Sequence, residues 1–166
     1  ESRIELLDRC IALLVDNQDE IIDCLATDFG HRSRDASLAT DIYSSLTSLK
    51  FSKAHLKSWM RPSRRSSMFP LDLIGAKTEV RYRPYGSVGV VVPWNFPFNL
   101  CFAPLASIFA AGNSAVIKPS ELTPKSSELL NRLVDAYFSE NEVAVIGGGI
   151  NVGKVFVRQK FDHLLF

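Results

Sequence analysis

Two short polar segments follow directly on apolar, β-branched runs, and they hold most of the residues able to do chemistry. Pro93-Trp94-Asn95-Phe96-Pro97 comes after Val88-Gly89-Val90-Val91-Val92, and Lys118-Pro119-Ser120-Glu121 comes after Ser114-Ala115-Val116-Ile117. The two prolines fix their own φ and restrict the residues before them, so the amide of Asn95 is carried on a stiff loop. A rigid amide is a preorganised hydrogen-bond donor. The same residue type also closes turns by bonding nearby backbone, and the sequence leaves both uses open. Lys118 and Glu121 stand three apart at a strand-to-turn junction, with Pro124 placed to open a helix. A carboxylate there can accept from ribose hydroxyls and would repel a further phosphate such as that of NADP. A surface ion pair beside a helix start is the alternative.

The glycine-rich segment Gly147-Gly148-Gly149-Ile150-Asn151-Val152-Gly153-Lys154 resembles two phosphate motifs and matches neither. Gly147, Gly149 and Gly153 have one residue too many before the third glycine for the dinucleotide fingerprint. Gly148 to Lys154 meets the P-loop spacing G-x-x-x-x-G-K, but Val155 occupies the position where a hydroxyl must bind magnesium. An NTPase is therefore the remote reading, and a glycine turn that lets a cofactor approach closely is the nearer one. Cys10, Cys24 and Cys101 are odd in number and far apart, with no Cys-x-x-Cys pair and no histidine at ligand spacing. This excludes a disulfide framework and a zinc site by pattern, so no metal is expected, and it favours a reducing cytoplasm. Cys101, in Leu100-Cys101-Phe102, reads as a buried inert thiol. His31, His55 and His163 read as surface or satisfied histidines.

These segments need a scaffold, and the pattern of apolar residues supplies it. The 166 residues suffice for one domain, and 46% hydrophobic against 22% charged residues marks a folding chain. With 19 basic and 18 acidic side chains, the net charge of +1 gives no field for nucleic acid or an anionic membrane. No apolar run reaches the ~20 residues of a membrane span, and Glu1-Ser2-Arg3-Ile4 lacks the order of a signal peptide, although a start without Met leaves a preceding targeting segment open.

Residues 1–60 read as a helical prefix: Ile4 to Leu25 with a break near Asn17, a stop at Gly30, then a stretch opened by Asp35 and Ser37 that runs to Trp59. Residues 61–76, with Pro62, Pro70, Gly75 and three arginines, read as a connecting segment. From Lys77, Thr78 to Arg83 alternate like a half-exposed strand. Core strands are then expected at Val88–Val92, Ser114–Lys118, Val143–Ile146 and His163–Phe166. Helices are expected at Phe98–Ala111, at Pro124–Phe138 and after Gly149. Strand and helix alternate, which predicts an α/β fold with a Rossmann-like, doubly wound parallel sheet and ligands beyond its carboxyl ends.

Taken in order, Gly86 to Pro97, Ala110-Ala111-Gly112-Asn113, Lys118-Pro119-Ser120-Glu121 and Phe161-Asp162-His163 resemble the aldehyde dehydrogenase superfamily, across about Lys77 to Phe166. With Gly147-Gly148-Gly149 they look like its class 3-type and coniferyl aldehyde dehydrogenase branch. The resemblance implies that residues 1–166 are a partial cofactor-binding domain of an enzyme that oxidises an aldehyde to a carboxylate through a cysteine thioester. Within it, Asn95 corresponds to the oxyanion-stabilising amide, Lys118 and Glu121 to the adenosine-ribose pair, and Val92, Pro93 and Trp94 to the wall of the cofactor cleft. Gly149 and Gly153 fall near the adenine side. The cofactor implied is NAD, with NADP as the alternative; the partner is a small aldehyde, with an aromatic one of the coniferyl type as one option, and the full-length protein is expected to be a homodimer. The nucleophilic cysteine and the glutamate base would lie beyond Phe166, so this chain by itself is expected to be inactive. A non-catalytic nucleotide-binding or assembly module is the competing reading.

Overall fold

The structure, a computed structural model, describes residues 3–166 apart from the side chain of Asp72; Glu1 and Ser2, where the reading of the N-terminus begins, lie outside the described residues. Apolar residues at helical spacing wind the first third into helices. α1 (Arg3–Asp16) and α2 (Gln18–Phe29) bury Leu7, Leu13, Leu14, Ile21 and Leu25 fully, and the expected break falls at Asn17. Gly30 closes α2 at φ 74°, a left-handed conformation that glycine alone adopts freely.

A continuous helical stretch then runs from Arg34 to Trp59. It begins one residue before Asp35, because the Ser33 hydroxyl accepts from the Ala36 N–H and so caps it. It comprises α3 (Arg34–Ser37), a π-helical stretch (Leu38–Tyr43) and α4 (Ser44–Trp59). The wider turn gives no periodicity signal of its own, and it carries Asp41, which is fully buried.

The segment 61–76 is not merely connecting. β1 (Ser63–Arg65) pairs antiparallel with β2 (Thr78–Val80), and a 3-10 turn spans Leu71–Ile74. Backbone pairing rather than apolar burial makes this arm, which is why composition did not reveal β1. All three residues of β2 are exposed, so the period of two there marks no buried face in this chain.

The main sheet has four parallel strands in the order β5-β4-β3-β6: β3 (Ser87–Val91), β4 (Ser114–Lys118), β5 (Val143–Val145) and β6 (His163–Leu165). The strand order reverses at β3, which makes the sheet doubly wound as the alternation of elements predicted. With the right-handed crossovers usual for parallel β-α-β units, this strand order assigns α5 (Asn99–Ala111) and α6 (Pro124–Tyr137) to one face and α7 (Ile150–Phe156) to the other. α1, α2 and α4 pack over α5 and α6, so the core lies between the helical prefix and the sheet. On the opposite face Gly89 admits the Phe161 ring, since a Cβ there would lie 2.6 Å from it.

Two carboxylates of the prefix cap the crossover helices. Asp28 accepts from the N–H groups of Lys125 and Ser126 at 3.0 and 2.8 Å, and Asp41 from those of Phe98 and Asn99 at 3.0 and 3.2 Å. Each places negative charge at the positive end of a helix dipole and satisfies N–H groups the helix cannot satisfy itself. Among the described residues no helix is long and apolar enough to cross a membrane.

Candidate functional site

The loop after β3 is anchored at both ends and open between them. Val92 is buried and its N–H donates to the Lys118 carbonyl at 2.9 Å, extending the sheet by one residue. Pro93, Trp94 and Asn95 are exposed, and Pro97 and Phe98 are buried again. Among the described residues the Asn95 side-chain amide has no hydrogen-bond partner, so it does not close a turn on its own backbone.

What holds the loop comes from the helical prefix. Asp41 Oδ1 accepts from the two N–H groups that open α5, while its Oδ2 receives Arg32 at 2.7 Å. The other guanidinium nitrogen of Arg32 donates to the Asn95 carbonyl at 3.1 Å. Its charged group lies 4.8 Å from the Phe29 ring centroid and 5.1 Å from that of Phe96. Burial pushes the Asp41 carboxyl above its ordinary value, outweighing the Asn99 N–H and the Arg32 charge that favour ionisation. Arg32 and Asp41 were not singled out from the sequence. The signal available was an acidic residue beside Ile42 on a core-facing helical stripe, where a charge needs a partner.

The second segment separates a buried cation from an exposed anion. Lys118 is 3% exposed; its Nζ donates to the Pro119 carbonyl at 2.6 Å and approaches Glu121 Oε2 at 3.5 Å. The Glu121 carboxyl faces solvent and is held below its ordinary value, first by its own backbone N–H and further by Lys118. It lines a cleft of about 530 Å³ together with Pro119, Asn131, Gly147, Gly148 and Gly149. A carboxylate at the wall of an open cleft, facing a glycine turn without side chains, suits a hydroxylated ligand. Gly149 is thus brought to Glu121, whereas Gly153 sits within α7 outside that lining. Val92, Pro93 and Trp94 belong to the neighbouring strand end. A larger concavity of about 640 Å³ lies between Trp59, the arm residues Arg81 to Arg83 and Ala110; it contains none of the strand-end residues.

The remaining candidates resolve into structure. α7 begins at Ile150, so Ile150, Asn151 and Val152, which would have to form the phosphate-cradling loop, are already helical, and this counts against the NTPase reading. Burial raises the thiols of Cys10 and Cys101, and pushes that of Cys24 up to about 12. Protonated thiols are poor nucleophiles. His55 stacks between Phe51 and Trp59, and His163 on Tyr85. Among the described residues no group of three potential ligands could hold a metal ion.

Comparison with known proteins identifies the family and the fold. The profile of the aldehyde dehydrogenase family matches residues 1–166. A coniferyl aldehyde dehydrogenase from Pseudomonas sp. is 49% identical over 166 residues, covering 100% of this chain and 34% of its own length. Among solved structures, substrate-bound AldH of Staphylococcus aureus superimposes with a TM-score of 0.92 at 34% identity, covering 99% of this chain and 35% of that one. An NAD-dependent benzaldehyde dehydrogenase from Corynebacterium glutamicum gives 0.79 at 26% identity, covering 98% and 34%. The chain thus spans about a third of the length of the proteins it matches.

Proposed function

Since the chain belongs to the aldehyde dehydrogenase family, we propose that it is the N-terminal part of an NAD-dependent enzyme that oxidises an aldehyde, of the coniferyl or another aromatic type, to a carboxylate. In this reading residues 77–166 form the visible part of the cofactor-binding domain, residues 1–60 are its helical brace, and residues 61–76 connect them. The observation that carries it is the pairing of two differently equipped strand ends: a rigidly mounted amide at Asn95, unpartnered among the described residues, and an exposed carboxylate at Glu121 beside a glycine-lined cleft.

The chemistry divides between them. Glu121 accepts hydrogen bonds from the hydroxyls of the adenosine ribose, with Lys118 positioned beneath it, and its charge disfavours the extra phosphate of NADP. Gly149 gives the adenosine room, Gly153 follows one turn on, and the backbone of Val92, Pro93 and Trp94 walls the cleft. Bound NAD supplies the hydride acceptor. The Asn95 amide donates to the oxygen of the aldehyde as that oxygen gains negative charge, a preorganised donor of the kind that stabilises an oxyanion. None of the three cysteines here has the ionisable, exposed thiol that the attack requires, so the 166 residues by themselves are expected to turn over no aldehyde. A reducing cytoplasm and a homodimer of the full-length protein complete the proposal.

Steady-state assay of the full-length protein with NAD and with NADP against coniferyl, benzyl-type and aliphatic aldehydes tests it. NADH formation with an aromatic aldehyde, weaker with NADP, is the expected result. Nucleotide binding without turnover of any aldehyde would instead support the non-catalytic module.

A further inference from the structure

We propose that Arg32 and Asp41, in the helical prefix, are positioning residues that fix where the Asn95 amide points during the reaction. The proposal rests on reading Asn95 as the oxyanion donor.

The geometry points there because three contacts converge on one loop from outside the cofactor sheet. Asp41 holds the downstream end through the N–H groups of Phe98 and Asn99, at 3.0 and 3.2 Å. Arg32 holds Asn95 itself, through its carbonyl at 3.1 Å. Arg32 also binds Thr40 and Asp41, each at 2.7 Å, so one planar guanidinium ties the loop to the helix that carries the cap. Lysine has no such fork, and a single ammonium cannot span both directions in this way. The guanidinium is itself held over Phe29 and close to Phe96, whose neighbour is Asn95.

Fixing the Asn95 carbonyl restrains rotation of the peptide group that follows its Cα, and the side-chain amide swings from that same Cα. The amide has no hydrogen bond of its own among the described residues, so its orientation depends on how firmly its backbone is held. Pro93 and Pro97 stiffen the loop locally, but they do not set its position relative to the rest of the molecule. The Arg32–Asp41 pair does.

A comparison inside the molecule argues that capping alone is not the purpose. Asp28 caps α6 in the same manner as Asp41 caps α5, yet among the described residues its carboxylate bonds only to Lys125 and Ser126. Of these two caps, that at α5 recruits an arginine that reaches on to the loop preceding the helix. Asp41 is also fully buried, where a carboxylate costs stability unless it is well paired. A hydroxyl or amide side chain would cap the helix at less cost.

The test is a double-mutant cycle in the full-length protein, with Arg32→Gln, Asn95→Ala and the double variant, plus Asp41→Asn and Arg32→Lys. Displacing a reacting group by ~1 Å costs on the order of a hundredfold in rate. Arg32→Gln is accordingly expected to lower kcat roughly tenfold to a hundredfold, with NAD affinity unchanged. In the Asn95→Ala background the same substitution should lower kcat no further, because its effect runs through that amide. Arg32→Lys should fail to restore kcat, and Asp41→Asn, which keeps an acceptor for the two N–H groups, should fall between wild type and Arg32→Gln.

The positioning role is overturned if Arg32→Gln lowers only the melting temperature, or if its loss of kcat multiplies undiminished onto that of Asn95→Ala. Failure of the underlying reading has a different signature, since Asn95→Ala would then leave kcat untouched whatever Arg32 does. Should Arg32→Gln not fold, the same cycle with Arg32→Lys or Asp41→Asn gives the same discrimination.

Discussion

The two ends of the parallel sheet carry polar residues of similar types put to opposite uses. At the amino end Asn113, Asp162 and Arg3 spend their side chains on the chain's own backbone. Asn113 Oδ1 accepts from the Gly86 N–H at 3.0 Å, Asp162 Oδ2 from the Ser87 N–H at 2.8 Å, and Arg3 donates to the Ala110 carbonyl at 3.0 Å. At the carboxyl end Asn95 and Glu121 face solvent on stiff mounts. The difference teaches that a motif residue reveals its role less by type than by where its hydrogen bonds are spent. An engaged side chain builds the fold, while a mounted and unengaged one is available to a ligand.

The contrast is sharpened most by Asn95→Ala in the full-length protein. Loss of an oxyanion donor costs about 2.7–4 kcal/mol of transition-state stabilisation, or roughly 10²–10³ in kcat, and the thermal midpoint should stay in place. A drop in stability equal to that of an amino-end variant would erase the distinction.

At the amino end, Gly89→Val should destabilise by about 1–3 kcal/mol in urea unfolding, because the added side chain meets Phe161 in a filled space. Asp162→Ala removes the acceptor of the Ser87 N–H at an exposed position and should cost about 0.5–1.5 kcal/mol. In both, activity per folded molecule is expected to persist, and a selective loss of turnover would break the comparison.

Glu121→Gln should weaken NAD binding about tenfold by calorimetry and narrow the preference over NADP, with stability unaffected. Its pH dependence follows from its lowered carboxyl. Below the ordinary value of 4.5 the group still holds its charge, so what it contributes is present above that value and is lost only as pH falls through the lower folded value. NAD affinity owed to Glu121 should therefore be flat between about pH 5 and 8.

The smallest effect is expected from thiol alkylation of the native protein near neutral pH. Cys10 and Cys101, buried and with raised thiols, should remain unmodified by mass spectrometry, and Cys24 should react slowly. Rapid loss of activity traced to one of these three would overturn their assignment as inert.

Much of the scaffold was legible because its signals are local. The β-branched run at β3, the five residues of β4, Pro124 at the start of α6 and Gly30 at the end of α2 each follow from what one residue type does to its own backbone. The strand ends that carry Asn95, Lys118 and Glu121 were legible for the same reason, as polar residues following apolar runs. β1 was not, since an exposed strand has no apolar face, and the π-helical stretch was not, since its period departs from 3.6 only briefly.

The amino-acid sequence by itself determined the order of strands and helices, the loops at their ends and the family they resemble, because periodicity, proline and glycine act over a few residues. Tertiary structure alone decided which polar residues are spent and which are free. It joined Arg32 and Asp41 to a loop some sixty residues away, tied Asp162 and Asn113 to the backbone of Ser87 and Gly86, and left the Asn95 amide without a partner among the described residues. A hydrogen bond between distant segments has no local signature: it exists only once packing has brought donor and acceptor together and removed the water that would otherwise serve both.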